Sequence, residues 1–194
     1  IAVKRGDPDF VPLLVAQSWL GQHRNSGVRL FDRIREKRGL NYGDYAYIEY
    51  FPEGMYRFEP EPNLARQQQI FQIWIRPVQP PTAHFALRLG VFELERLVRE
   101  GMTEEDVAQT RNFLSKYVNL LTKTKRAELG YAIDSQYYGI GEYNAYLKIA
   151  LQKLTRDDVN RAIRKHLTPR NMVIAVIGQD TASLRDAIVQ DTVS

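Results

Sequence analysis

The chain has 194 residues and a mass of 22.5 kDa; 44% of its residues are hydrophobic and 26% are charged. This balance is typical of a folded protein of one domain, here residues 1–194, and excludes a disordered or fibrous chain. Because there is no cysteine, disulfides, thiolate metal sites and cysteine nucleophiles are excluded as well. No apolar run approaches the ~18 residues that a membrane-spanning helix needs, so we expect no membrane span.

The positive charge is concentrated in one stretch. The chain has 27 Lys and Arg residues against 23 Asp and Glu residues, which gives a net charge of +4. Residues 22–42 hold six basic residues and two acidic ones: Arg24, Arg29, Arg33, Arg35, Lys37 and Arg38 against Asp32 and Glu36. Such a run is usually a solvated helix face, but it also suits a surface that binds acidic groups of a partner.

The first part of the chain predicts one incomplete strand and two helices. Residues 1–4 have the composition of a strand whose beginning is missing. Asp7 and Pro8 then predict the start of a helix that ends at Gly21. A second amphipathic helix is predicted over residues 28–39, with a charged side chain, Arg35, on the flank of its apolar stripe.

Two strands and a connection follow. Residues 42–51 are dense in tyrosine, and residues 69–75 alternate apolar and polar side chains, so we predict two strands that pair antiparallel. Residues 52–66 between them are rich in proline and charge and predict a mobile loop. Pro77, Pro80 and Pro81 are expected to close the second strand.

From Thr82 the apolar period is that of helices. Helices are predicted over residues 82–101, 107–121, 126–138, 144–154 and from 156 to 167, with a last one from Thr181. Thr103 and Thr155 precede acidic residues and predict N-caps. The apolar run 172–178 predicts a strand that is covered on both faces. The order predicts an α+β fold, an antiparallel sheet covered by a block of helices.

Common catalytic motifs are absent from the sequence. His23, His84 and His166 have no histidine partner one helical turn away, and Arg88 stands where a second zinc histidine would follow His84. There is no Gly-x-Ser-x-Gly nucleophile elbow and no Gly-rich phosphate loop. The aromatic strand 42–51 has acidic but no basic residues, which argues against binding of single-stranded nucleic acid. We expect neither a metal site nor a nucleic-acid site in this chain.

One motif carries a family resemblance. Residues 30–42, with the sequence LFDRIREKRGLNY, form an apolar helix that ends in Arg-Glu-x-x-Gly-Leu-x-Tyr and runs into a strand. The motif resembles a hallmark of the C-terminal, non-zinc domains of the pitrilysin/insulinase family of zinc metallopeptidases. The helix that ends at Gly21, the hinge at Gly101 and the apolar run 172–178 have the order of such domains. The resemblance therefore covers nearly the whole chain.

The resemblance implies the fold of one metallopeptidase half and a division of work between two halves. A homologous domain or subunit with His-x-x-Glu-His would bind zinc and activate water, while this chain would hold no metal. Tyr42 would donate to the oxyanion at the scissile peptide bond, and Arg35 would position carbonyls of the peptide substrate. Arg38 and Tyr45 would contact the substrate, and the basic stretch would favour acidic or C-terminal carboxylate groups.

Other functions are compatible with the sequence. Without a zinc motif the chain is not expected to hydrolyse peptides alone, and it could instead be a structural or assembly subunit of the same fold. Arg35 would then be an ordinary arginine whose stem covers apolar surface. A nucleic-acid-binding module is a third hypothesis and predicts an affinity that falls steeply with added salt. The sequence is equally compatible with a periplasmic and a cytoplasmic location.

Overall fold

The structure, a computed structural model, describes residues 3–22, 25, 27–51, 62, 65–192 and 194. Within them the chain folds into a two-stranded antiparallel sheet and a block of helices, which confirms the predicted α+β class. The predicted loop over residues 52–66 lies almost wholly outside this part of the chain, and so does the first half of the predicted strand 1–4.

The described part of the chain forms helices and strands with the following bounds. The helices are α1 Phe10–Gly21, α2 Ala83–Glu100, α3 Glu104–Leu121, α4 Lys125–Tyr138, α5 Tyr143–Lys153, α6 Arg156–His166 and α7 Thr181–Val189. The strands are β1 Asn41–Tyr47 and β2 Gln72–Val78. A π-helix, Phe31–Glu36, precedes β1, and a 3-10 turn, Pro80–Thr82, precedes α2.

The helix starts follow local signals. Thr103 and Thr155 each form a capping box, in which the threonine hydroxyl accepts from the N–H of Asp106 or Asp158 at 3.1 and 3.2 Å. The two carboxylates accept in return from the threonine N–H groups. Gly139 ends α4 in the left-handed conformation. The predicted helices after Thr82 are therefore confirmed, with ends that shift by a few residues.

Helix α1 lies at the centre of the core and places β1. Leu13 and Leu20 are fully buried, and α1 packs against α3, α6 and β1. At its last residue, Gly21, a Cβ atom would lie only 2.5 Å from the backbone nitrogen of Ala46. The side-chain amide of Gln17 also donates to Ala46 O at 2.7 Å. Only glycine permits this close approach, which holds β1 against the helix.

The two faces of the sheet have different surroundings. Strands β1 and β2 pair antiparallel, as predicted, with Asp44 opposite Ile75 and Tyr45 opposite Trp74. Asp44 and Ala46 are buried on the face that packs against the helices. Because successive side chains of a strand point to opposite faces, Tyr45 lies on the other face, where it and Trp74 are half-buried.

The apolar run 172–178 differs most from its prediction. It pairs with no strand in the described part of the chain, and Val173 and Ile177 are 99% and 102% exposed. The prediction of a strand covered on both faces is therefore wrong for this structure. An apolar run forms a strand only when a neighbouring strand takes up its backbone hydrogen bonds, and none of the described residues supplies that neighbour.

Three predictions, two near the chain start and one in β2, are also wrong. Val3 and Lys4 form no strand, and the N–H of Lys4 donates to Asp7 Oδ2 at 2.9 Å. Asp7 therefore closes a turn instead of capping α1, which begins at Phe10. Pro77 lies inside β2 and does not end it. A proline is tolerated there because β2 is an edge strand, in which one row of N–H groups needs no partner strand.

Candidate functional site

Arg35 and Tyr42 lie together at the surface. The Cζ atom of Arg35 is 4.2 Å from the ring centroid of Tyr42 and 4.7 Å from that of Phe31. Its Nη1 also donates to the backbone oxygen of Tyr42 at 3.4 Å. Arg35 is half-buried, whereas Tyr42 is 68% exposed. The guanidinium is thus stacked between two aromatic rings, an arrangement stabilised by cation–π attraction, and the phenol faces solvent.

The local sequence explains how the two side chains meet. The π-helix carries Phe31 and Arg35 about one turn apart, and its wide turn is closed by a bond from Lys37 N to Asp32 O at 3.0 Å. Gly39 has a φ of +62° and reverses the chain directly after the helix. The chain then enters β1, so that Tyr42 returns to the helix end that carries Arg35. Single turns of π-helix are rare in proteins as a whole, but those that occur are frequently found at functional sites.

A buried carboxylate lies on the same strand face as Tyr42. Asp44 is 1% exposed, its Oδ1 accepts from the side-chain amide of Asn41, and its Oδ2 finds no hydrogen-bond partner in the described part of the chain. Burial raises the pKa of Asp44 to about 6, although the Asn41 hydrogen bond and the charge of Arg35 act in the opposite direction. The site therefore contains a carboxyl group that titrates close to neutral pH.

Arg38 and Tyr45, the other predicted substrate contacts, point elsewhere. Arg38 turns back along the chain, donates from Nη1 to Arg33 O at 2.8 Å and lies 5.8 Å from the ring centroid of Phe85. Tyr45 is three residues after Tyr42 and so projects from the opposite face of β1. The structure thus stacks Arg35 on Tyr42, whereas Arg38 lies near Phe85 and Tyr45 lies on the opposite strand face, where the charges of Tyr42 and Arg35 still act on its phenol. Their role in substrate binding stays a prediction.

Most of the described basic stretch is paired within the fold. Arg29 and Arg33 donate to the two oxygens of Glu93 in α2 at 2.7 and 3.0 Å. Lys37 pairs with Asp32 at 2.8 Å. Less positive charge is therefore left for an acidic partner than the sequence suggests.

Glu93 is a residue that the sequence reasoning missed. Its side chain is completely buried, because α2 presents Ala86, Gly90, Glu93, Leu94 and Leu97 to the core. Phe85 and Phe92, two large apolar residues of the same helix, are 36% and 46% exposed. Two features of the sequence could have indicated that Glu93 is buried. One is its helical spacing from two leucines, and the other is the excess of arginine over acidic residues in the stretch 22–42.

Glu93→Gln is expected to lower the free energy of unfolding by about 2 kcal/mol, because two charge-assisted hydrogen bonds become neutral ones while both arginines stay partly buried. Urea unfolding monitored by circular dichroism measures the change. Glu95→Gln, on the exposed face of the same helix, is the matched control and should change stability by less than about 0.5 kcal/mol. Equal effects of the two substitutions would contradict a structural role for the Glu93 ion pairs.

A separate apolar cavity lies at the other end of β1. Tyr47, Ile48 and Glu49 line it together with residues of α1, α3, α4 and α5. Neither Arg35 nor Tyr42 lines this cavity. The candidate site is therefore the stacked pair Arg35 and Tyr42, which lies open to solvent at the start of β1.

The described residues do not assemble a metal site. No group of three or more His, Cys, Asp or Glu side chains among them could hold a metal ion. His166 binds Asp9 Oδ2 through Nε2 at 2.8 Å, and His23 lies outside the described part of the chain. In that part, every helix is too short or too polar to cross a membrane.

Comparison with known proteins identifies the fold. No family model and no curated protein matches the chain. The chain is similar to the inactive domain of an M16 peptidase from Pseudomonas fluorescens, with a TM-score of 0.62 and 22% identity over 87% of this chain and 36% of that chain. It is also similar to a protein of Bordetella pertussis predicted to be a zinc protease, with a TM-score of 0.61 and 17% identity over 86% and 83% of the two chains.

A third similar structure is the periplasmic protease PqqL from Escherichia coli, with a TM-score of 0.56 and 14% identity over 84% of this chain and 16% of that chain. This chain thus spans about a third of the Pseudomonas chain and a smaller part of PqqL. At such identities the similarity is one of fold. The chain has the fold of M16 peptidase inactive domains, which confirms the fold expected from the resemblance.

Proposed function

We propose that this chain is the half of a zinc-dependent endopeptidase that lacks the zinc motif, and that it positions the peptide and stabilises the oxyanion. The observation that carries the proposal is the stacking of Arg35 on the exposed ring of Tyr42, at 4.2 Å. Both residues belong to the motif on which the resemblance rests. The similarity in fold to an inactive M16 peptidase domain supports the same assignment.

The chemistry suits these two side chains. Hydrolysis of a peptide bond places negative charge on the carbonyl oxygen in the transition state, and a hydroxyl donor aimed at that oxygen stabilises it. Tyr42 is exposed and can reach such an oxygen. Arg35 uses one N–H for Tyr42 O and makes no other hydrogen bond with the described residues, so that further donors remain for peptide carbonyls.

Zinc belongs, in this proposal, to a partner domain or subunit that carries His-x-x-Glu-His. The described residues of this chain offer no suitable ligand set, so no step of the reaction is assigned to a metal bound here. The chain alone is expected to be inactive. Its contribution is to fix the orientation of the peptide and to donate one hydrogen bond in the transition state.

Tyr42→Phe in the complete enzyme is expected to lower kcat at least about tenfold, because loss of one oxyanion donor typically costs about 3 kcal/mol. The exposed hydroxyl contributes little to packing, so the unfolding free energy should stay within about 0.5 kcal/mol of the parent value. Turnover of a fluorogenic peptide and urea unfolding test the two parts.

Tyr50→Phe is the matched control for this experiment. Tyr50 is also an exposed tyrosine with an arginine over its ring, since Arg66 Cζ lies 4.6 Å from the centroid. Its substitution should leave kcat unchanged, because it does not belong to the Arg35–Tyr42 cluster. If kcat of Tyr42→Phe also stays at the parent value, the oxyanion role is wrong.

A structural or assembly subunit is the second candidate function. It is favoured by the name of the Pseudomonas structure, which calls that domain inactive. This alternative predicts that the complete protein hydrolyses no peptide, whether or not Tyr42 and Arg35 are replaced. It also predicts that no His-x-x-Glu-His sequence occurs in the same polypeptide or in its partner, which a reading of the complete coding sequence decides.

A further inference from the structure

Asp44 is a buried carboxylate without an evident structural reason. It is 1% exposed, and one of its oxygens has no hydrogen-bond partner among the described residues. Burying an acceptor that is left unsatisfied costs roughly 1–3 kcal/mol, and more when the group is charged. An apolar side chain, like that of the cross-strand neighbour Ile75, would fill the same face of the sheet without this cost. The retained carboxylate therefore suggests a role other than stability.

The contacts of Asp44 surround Tyr42. Asp44 Oδ1 accepts from the side-chain amide of Asn41, the residue before Tyr42. The same Asn41 amide donates to the backbone oxygen of Gly43, the residue after Tyr42, at 3.2 Å. The backbone on both sides of Tyr42 is thus tied to one amide group, and Asp44 holds that amide in place.

The charge of Asp44 acts on Arg35. Arg35 is the cation whose field favours the ionised form of Asp44, and the attraction is mutual. Asp44 and Tyr42 are two residues apart and therefore lie on the same face of β1, and the guanidinium of Arg35 lies over the Tyr42 ring. An ionised Asp44 therefore attracts the guanidinium towards the face on which the Tyr42 ring lies.

We propose that Asp44 is a positioning residue, which holds Arg35 stacked on Tyr42 by attracting the guanidinium and by fixing Asn41. The proposal rests on the function proposed for Arg35 and Tyr42 and names the group that orients them. Asp44 does not touch the substrate. It acts through the two residues that do.

The stacking of Arg35 on Tyr42 should therefore depend on whether Asp44 is ionised. Since burial raises the pKa of this carboxyl to about 6, the ionised form prevails above that pH and the neutral form below it. The titratable groups whose charge interacts with Asp44 are Arg35, from the π-helix, and the phenol of Tyr45, on β1 itself. Burial raises the pKa of Tyr45 above its usual value, so that this phenol keeps its proton over the range. Asp44 is thus the member of this group that changes charge near neutral pH.

A fluorine label at Tyr42 tests the proposal without an activity assay. Fluorotyrosine is introduced at position 42 alone in the complete protein, and its ¹⁹F chemical shift is followed from pH 5 to 7.5. We expect one transition with a midpoint near pH 6 in the parent protein. We expect no transition in Asp44→Asn, since the amide stays neutral at every pH.

Asp32→Asn is the matched control. It removes one negative charge from the π-helix, where Asp32 pairs with Lys37 at 2.8 Å, and should keep the transition of Tyr42. A transition that persists in Asp44→Asn, or a parent protein without any transition, would overturn the proposal.

Kinetics then separates this inference from the proposed function. Asp44→Asn in the complete enzyme should lower kcat by about three- to tenfold with little change in KM, because loss of orientation reduces turnover, and the kcat profile should lose its change near pH 6. An unchanged kcat profile would refute the positioning role. If Tyr42→Phe leaves kcat unchanged while the fluorine transition still depends on Asp44, the oxyanion role alone is wrong.

Discussion

Arg5→Met is expected to lower the free energy of unfolding by about 3–5 kcal/mol, because it leaves two buried carboxylates without their cation. Arg5 is 3% exposed and binds Glu49 through two hydrogen bonds of 2.6 and 2.8 Å, and its Nη1 donates to Asp134 at 3.3 Å. Its Cζ lies 4.9 Å from the ring centroids of both Tyr131 and Tyr143. Burial by itself would lower the pKa of Arg5, but the charge and hydrogen bonds of Glu49 raise it well above its usual value.

The measurement is urea unfolding of parent and variant at neutral pH. Arg185→Met is the matched control, since Arg185 is mostly exposed and, among the described residues, pairs with its neighbour Asp186 alone, so the expected change is below about 0.5 kcal/mol. Adding Glu49→Gln and Asp134→Asn to Arg5→Met should recover part of the lost stability, because the two uncompensated charges are removed. A loss below about 1 kcal/mol in Arg5→Met would contradict the structural role.

Asp44→Asn is expected to stabilise the fold at neutral pH by up to about 3 kcal/mol. The pKa of Asp44 is about 6 in the folded state, through burial, against 3.8 for the unfolded chain. Between these pH values the folded state binds the proton more strongly than the unfolded state does. The contribution of this group to stability is therefore present below about pH 4 and is lost as the pH rises to about 6. The difference of about two pKa units corresponds to about 3 kcal/mol.

The informative quantity is the difference in unfolding free energy between variant and parent at several pH values. It should be small at pH 4 and should increase in favour of Asp44→Asn up to pH 7. Other carboxyls cancel in this difference, among them Asp9, whose pKa is lowered by hydrogen bonds from Lys165 and His166. Asp32→Asn should give a difference that stays within about 1 kcal/mol over this range, because its carboxyl is half-exposed. A difference for Asp44→Asn that does not change with pH would contradict the prediction.

The unfolding measurement and the kinetic measurement on Asp44→Asn test two sides of one expectation. A group that destabilises the fold when ionised and yet orients a site is an example of stability given up for function. If Asp44→Asn is more stable at neutral pH and turns over more slowly, both expectations hold. The carboxylate is then retained for the orientation of Arg35 and Tyr42.

Predictions based on short-range signals were right more often than those that need a distant partner. The caps at Thr103 and Thr155 lie within three residues of the groups that they bind, so their sequence specifies them. The buried face of α2 could not be predicted in this way, because the burial of Glu93 depends on arginines about sixty residues away. The helical conformation of α2 was predictable from the spacing of its apolar residues, but the face that it buries was not.

In the candidate site, too, some features are predictable from local sequence and others depend on contacts with distant residues. The resemblance singled out Arg35 and Tyr42 together, but only the chain reversal at Gly39 and the packing of β1 on α1 bring the guanidinium over the ring. Asp44 was visible in the sequence only as an acidic residue in an aromatic strand. Its burial, and with it the raised pKa, depends on the helices that cover this face of the sheet.

The amino-acid sequence by itself determined the α+β class, the helices after Thr82 and the motif that contains Arg35 and Tyr42. These features depend on periodicity, capping and residue type, which act within a few neighbouring residues. The tertiary structure decided that Arg38 turns back to Arg33 and lies near Phe85, that Glu93 pairs with two arginines, and that the run 172–178 pairs with no strand in the described part of the chain. Each of these outcomes depends on contacts between residues far apart in the chain, because burial, charge pairing and strand pairing need a partner that local sequence does not specify.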